Sequence, residues 1–219
     1  MADQFPTVDA ATLERGPWEL RSRSEDTVFR TPTATVRGHT LVYDDADLRT
    51  ALERAGVGDH LDPGGEGTLV DVADDDTGGF CRFFFATALS FRPPLAPGIG
   101  PASMRGPIVR ESRESFLDDL RTRGFESVER GRRQRVRTDT GDRATLTKVT
   151  AAYPLDGGRL DVEGWIAVWS RGGSFRIAGG AYPTRGLADL LDTLPEDGRP
   201  QIDPGNYRDD LLGLIRAVE

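Results

Sequence analysis

Two β-type segments, 159–169 and 174–182, meet at Gly172-Gly173, and both faces of the resulting hairpin carry apolar side chains. A two-residue turn at these glycines sets Arg171 opposite Ser174. Ser170 then meets Phe175, Val168 meets Ile177, and Ile166 meets Gly179. Successive side chains of a strand point to opposite faces. Leu160, Val162, Ile166, Val168, Phe175 and Ile177 therefore share one face. Trp165, Ala167 and Trp169 occupy the other, with Trp169 opposite Arg176 and Trp165 opposite Gly180. Such a hairpin needs cover on both sides, or cover on one side and a ligand surface on the other.

The rest of the chain supplies the cover. Segments 126–137 and 143–153 precede the hairpin, with turns at Asp139-Thr-Gly-Asp and Asp156-Gly-Gly, so the second half reads as a four-strand meander. Short β-type runs begin at Asp26, Ala34, Thr40 and Thr68, and 59–67 reads as a loop. The most apolar run, 80–91, reads as a central strand with Cys81 packed inside it as an inert thiol. Leu48, Ala51, Leu52 and Ala55 make a helical stripe after an Asp45 cap, with Gly56 and Val57 as its ending. Ser112 is expected to cap a second helix carrying Phe116, Leu117 and Leu120, ended by Gly124 and Phe125. Leu187, Leu190, Leu191 and Leu194 suggest a third. Asp203-Pro204 opens the last, with Tyr207, Leu211, Leu214, Ile215 and Val218 as its stripe. The expected fold is α+β: a largely antiparallel β-sheet, a meander in its second half, packed with helices in an α/β/α sandwich-like arrangement. It is expected as a single globular domain over 1–219, with 1–17 as a loosely held arm.

Over 112–219, the order helix, four-strand meander, helix resembles the Mog1p/PsbP-like α/β sandwich. The likeness rests on that order and on the hairpin that runs through Phe175-Arg-Ile-Ala-Gly-Gly-Ala-Tyr-Pro into a helix. It implies a sheet held between helices, and a binding or assembly module more than a chemistry. The whole sequence also resembles an uncharacterised protein family of halophilic archaea, which implies no activity.

Charge carries that second likeness. Of 28 basic residues only Lys148 is lysine, the other 27 are arginine, and the net charge is −8. Aspartates outnumber glutamates 24 to 12. Short carboxylates and the planar, weakly hydrated arginine fork suit a surface that works in concentrated salt. A genome rich in G and C favours arginine too, but does not account for the acidity. The acidic, Lys-poor composition resembles that of cytoplasmic proteins of extremely halophilic archaea. At about 1 M salt the Debye length is about 3 Å, so long-range steering is nearly absent. One cysteine allows no internal disulfide. No apolar run reaches the roughly 18 residues of a membrane span, and the N-terminus lacks a secretory pattern. The expected setting is therefore cytoplasmic, with no membrane partner.

Candidate sites are few. Residues 92–107 hold five prolines and three glycines, which argues against helix or central strand and for a long loop. Arg133, Arg135 and Arg137 share one face of their segment, with Arg130, Arg132 and Val136 on the other. A row of guanidinium forks can bind anions. The expected reading is the plainer one, a solvated edge strand whose arginines pair with aspartates and resist aggregation. Nucleic acid is not the expected partner, because neither a binding motif nor an aromatic ladder accompanies the run. Asp71 and Asp74-Asp-Asp lack the alternating pattern of a calcium loop. His39 and His60 have no ligand at metal spacing. No metal and no cofactor is expected. A serine–histidine–acid set stays open, though no Gly-x-Ser-x-Gly elbow is present.

Two functional readings follow. The first is a non-catalytic binding or assembly module for a protein or small molecule. Its contact surface is placed on Trp165, Trp169 and Arg176, rimmed by Pro94, Pro97 and Met104. The second is an enzyme acting on a small anionic substrate in an arginine-lined pocket.

Overall fold

The computed structural model describes residues 4–30, 35–57, 81–93, 101–155, 158–192, 194–195 and 199–219. Seven strands form one sheet: β1 (Trp18–Arg30), β2 (Thr35–Asp45), β3 (Phe83–Arg92), β4 (Glu126–Arg137), β5 (Arg143–Leu155), β6 (Gly158–Arg171) and β7 (Ser174–Arg185). Their order is β1-β2-β3-β7-β6-β5-β4, and every neighbouring pair is antiparallel. The meander of the second half is present as expected. Its last strand docks on β3 and so joins the two halves of the chain into one sheet.

The β6–β7 register is the one the sequence dictates. Trp165 faces Gly180, Val168 faces Ile177 and Trp169 faces Arg176 across the hairpin. Gly172 and Gly173 take φ of +57° and +84° at the turn, the left-handed pair such a turn requires. Helix ends behave similarly. Asp45 caps α2 (Ala46–Arg54), its carboxylate accepting the Leu48 N–H at 2.8 Å. Gly56 then turns left-handed, and Val57 N–H donates to the Leu52 carbonyl at 3.1 Å. The same ending recurs at Gly124, where Phe125 N–H donates to the Leu120 carbonyl at 3.1 Å.

The proline-rich segment departs from expectation. Helix α3 (Pro101–Thr122) starts eleven residues before Ser112 and takes in Gly106 and Pro107. Pro101 costs nothing at the first helical position, where its missing N–H has no intrahelical partner. Pro107 removes one donor from the interior, but the turns around it are held by packing. Met104, Ile108, Ser112, Phe116 and Leu120 recur every four residues, and the last four are buried. Ser112 is thus a buried mid-helix residue and not a cap. Apolar periodicity outweighs proline content here, because an amphipathic face gains more from burial than one lost hydrogen bond costs.

Helices cover both sheet faces. On one, Phe116 of α3 packs against Phe85, ring centroids 5.6 Å apart. On the other lies α5 (Pro204–Ala217), whose Leu211 stands over Gly180. The short helices α1 (Ala10–Leu13) and α4 (Leu187–Leu190) flank these. Residues 5–8 are pinned to the end of the chain: Val8 bridges Val218, and Thr7 and Glu219 exchange backbone hydrogen bonds of 3.3 and 2.8 Å. No helix among the described residues is long and apolar enough to cross a membrane. The expected strand at Thr68, the 59–67 loop, His60, Asp71, Asp74-Asp-Asp, Pro94 and Pro97 lie outside the described residues.

Candidate anion-binding groove

The aromatic surface expected on β6 is not a surface. Trp165 and Trp169 are both 0% exposed. The face they occupy is the one α5 covers, and Arg208 of α5 lies 5.9 Å from the Trp165 ring. Met104 is half-buried against the core. Neither indole offers a partner an open contact. The physical reason is that α5 has a full apolar stripe of its own, and the two indoles are what it buries.

Trp165 belongs to a polar knot on that face. Glu163 accepts hydrogen bonds from the Trp165 indole N–H at 3.0 Å and from the Tyr182 hydroxyl at 2.5 Å, and pairs with Lys148. Burial by itself would raise the Glu163 carboxyl, but bonds from Lys148, Tyr182 and Trp165 outweigh it and hold the group below its ordinary value. A carboxyl lowered in the fold stabilises fully above its unfolded value, and that stabilisation is lost as pH falls through the folded one. Glu163→Gln is expected to be less stable than the natural chain at pH 7. The gap between their urea midpoints should narrow as pH falls below the ordinary glutamate value of about 4.3. A gap that stays constant with pH would contradict the assignment.

Arg176 is half-buried at a cavity of about 460 Å³ beside the N-terminal arm, lined also by His39, Ser90 and Ser174. Its Nε donates to the Glu219 carbonyl at 3.0 Å and its Nη1 to Ser174 Oγ at 3.3 Å. Burial first, and Arg171 second, lower its pKa. Buried His39 meets Ser90 Oγ through Nε2 at 3.1 Å, and Glu25 stands 3.7 Å from Nδ1. The order acid, imidazole, hydroxyl is that of a nucleophilic triad, but 3.7 Å is beyond hydrogen-bond reach. Glu25 is instead bonded to Arg37. With Phe5 edge-on to the imidazole at 5.5 Å, the cluster anchors the arm.

The larger open feature lies on the other face of the sheet. Two adjoining cavities of about 690 and 780 Å³ share Arg105, Arg135 and Thr145. They form a groove between the first half of α3 and the outer strands β4 and β5. α3 contributes Arg105, Arg110 and Arg113, β4 contributes Arg133, Arg135 and Arg137, and β5 contributes Arg143. No acid is among the described residues that line either cavity. Helical spacing explains the α3 set: 105, 106, 109, 110 and 113 fall on one side. Strand alternation explains the β4 set. Arg133 and Arg135 stand opposite Thr147 and Thr145, which pair in turn with Ile166 and Val168 of the α3-covered face. A register shift between Arg130 and Arg133 sets Arg130 opposite Val149, which pairs with Gly164 on that same face. Arg130 therefore does not share a face with Arg132, as simple alternation implies, since Arg132 reaches toward Trp165.

The expected pairing of these arginines with aspartates is not what holds them. Arg105 donates to the Arg143 carbonyl at 3.0 Å, and Arg137 to the Gly141 carbonyl at 3.1 Å. Among the described residues, Arg110, Arg133 and Arg135 have no ion pair. Arg113 is only 8% exposed; one nitrogen reaches Glu114 at 3.3 Å, while its buried Nε has no hydrogen-bond partner among the described residues. Seven like charges gathered without a lining acid repel one another, in a chain whose net charge is −8. An anion in the groove would relieve that repulsion. The β4 half of this site is legible in sequence. The α3 half is not, once Pro101 and Pro107 are taken as loop markers.

Comparison with known proteins places the chain in one family. Residues 5–219 match the family described as Domain of unknown function (DUF6517), and the chain belongs to it. No curated protein and no solved structure matches the chain.

Proposed function

We propose that this member of the DUF6517 family is a binding module that holds an anionic ligand in the arginine groove between α3 and β4–β5. The observation that carries this reading is the gathering of seven arginines around one open groove, with no carboxylate among its described lining residues. Guanidinium forks match phosphate, sulfate and carboxylate oxygens with paired hydrogen bonds. The lining favours binding over reaction. Beside arginine it offers only Gly106, Val109, Gln134, Val136 and Thr145, which include no carboxylate or imidazole for proton transfer. The enzyme reading needs an acid in the pocket. Asp44 has a carboxyl raised by burial against the pull of Arg49 and Arg21, but it lines neither cavity. Helices on both faces of the sheet also suit the Mog1p/PsbP-like module.

Titration calorimetry with sodium pyrophosphate at low ionic strength tests the reading. Saturable binding of one equivalent is expected, weakened as KCl rises. Absence of binding would count against the groove as an anion site.

The setting we propose is a cytoplasm of high salt, on the strength of 27 arginines to one lysine and 24 aspartates to 12 glutamates. Urea midpoints are expected to rise from about 0.1 M to beyond about 1 M KCl, past the range in which simple screening is nearly complete. A flat profile above a few tenths molar would remove this part of the proposal.

A further inference from the structure

We infer that the groove takes a linear polyphosphate chain, free or as the tail of a larger molecule, with its terminal phosphoryl group seated at Arg113. This rests on the anion-binding reading above and names the ligand for that site.

Three features of the groove carry the inference. The first is its shape. The two cavities run into each other, and the β4 arginines repeat every second residue, roughly 7 Å apart along the strand. A single small anion would engage one end and leave the rest of the row unneutralised. A chain of charged groups meets the row along its length.

The second is that the two ends differ. Arg137 and Arg143 are exposed at one end. At the other, Arg113 is buried and lines the same cavity as Arg110 and Arg133, and its Nε has no hydrogen-bond partner among the described residues. A terminal phosphoryl group carries more charge than an internal one, with a second pKa near 6. It belongs where guanidiniums from two elements converge, Arg110 and Arg113 from α3 and Arg133 from β4. Internal phosphoryl groups, each with one charge, then extend past Arg135 toward solvent.

The third is what the walls lack. Among the described residues, no aromatic side chain lines either cavity. Single-stranded nucleic acid is held by base stacking as well as backbone contacts, and here the bases would have no platform. The apolar wall is limited to Val109 and Val136, too little for an acyl chain.

Gly106 gives the inference a test that alters no charge. It lines the deeper cavity, and a Cβ placed on it meets no atom within 4 Å. Gly106→Leu therefore fills space in the groove, and a helical glycine replaced by leucine does not weaken the helix.

The experiment is competitive calorimetry at fixed ionic strength with orthophosphate, tripolyphosphate, adenosine triphosphate and an oligothymidylate of matched charge. Tripolyphosphate is expected to bind at least tenfold tighter than orthophosphate and tighter than the oligothymidylate. Gly106→Leu should weaken tripolyphosphate at least tenfold with an unchanged or higher Tm. Adenosine triphosphate within threefold of tripolyphosphate supports recognition of the tail alone, and weaker binding supports the free chain. Orthophosphate equal to tripolyphosphate would overturn the polyphosphate assignment while leaving an anion site. So would tighter oligothymidylate, adenosine triphosphate tighter by tenfold, or a Gly106→Leu variant that binds normally. If none of the four binds, the reading of the groove as an anion site fails as well.

Discussion

Gly180→Ala is expected to cost more than about 3 kcal/mol and to leave little folded protein at 37 °C, from the upper range of overpacking penalties. Gly180 sits in β7 where α5 and β3 both press on it. A Cβ there would lie 2.1 Å from the Phe83 carbonyl oxygen and 2.9 Å from Leu211 Cδ1. The leucine can turn aside, but the carbonyl belongs to the β3 backbone that pairs with β7. Relief requires separating the two strands that join the halves of the sheet. Gly213→Ala serves as the control, since a Cβ there meets nothing within 4 Å on an outer turn of α5. It should stabilise by about 0.5–1 kcal/mol through helix propensity alone. Urea unfolding of both variants reads the difference. A Gly180→Ala midpoint equal to that of the natural chain would refute the close approach of β3 and β7.

Replacing Arg133 and Arg135 together by glutamate is expected to lower pyrophosphate affinity by at least about 100-fold at low salt. Each charge-assisted hydrogen-bonding group is worth about 1.5–3 kcal/mol, or roughly 10- to 100-fold in affinity. Reversal adds repulsion to that loss. Stability should stay the same or rise, because both residues are exposed and have no ion pair among the described residues. The competing role, edge protection by charge, makes the opposite forecast. Glutamate guards an edge as well as arginine, so binding would then be unaltered. Calorimetry and a thermal melt on the same sample separate the two roles.

What the sequence determined by itself was everything governed by local rules. The Gly172-Gly173 turn and strand alternation set every pair of the β6–β7 register from Trp165↔Gly180 to Arg171↔Ser174. Capping chemistry located Asp45, Gly56, Gly124 and Asp203, because each acts within a few residues of itself. Tertiary structure decided that both apolar faces of the hairpin received a helix, α3 on one and α5 on the other. Trp165 and Trp169 look equally suited to a core or to a ligand surface, and only the docking of α5 buried them. It also decided the fate of 101–107, where packing of Met104 and Ile108 drew Pro107 into a helix interior against its local preference. The groove follows from that decision. Arg113 and Arg133 are 20 positions apart, and neither strand alternation nor helical spacing relates a helix to the strand it crosses. Local periodicity fixes where each side chain points within its element. The distance between elements is set by the burial of the apolar faces that join them.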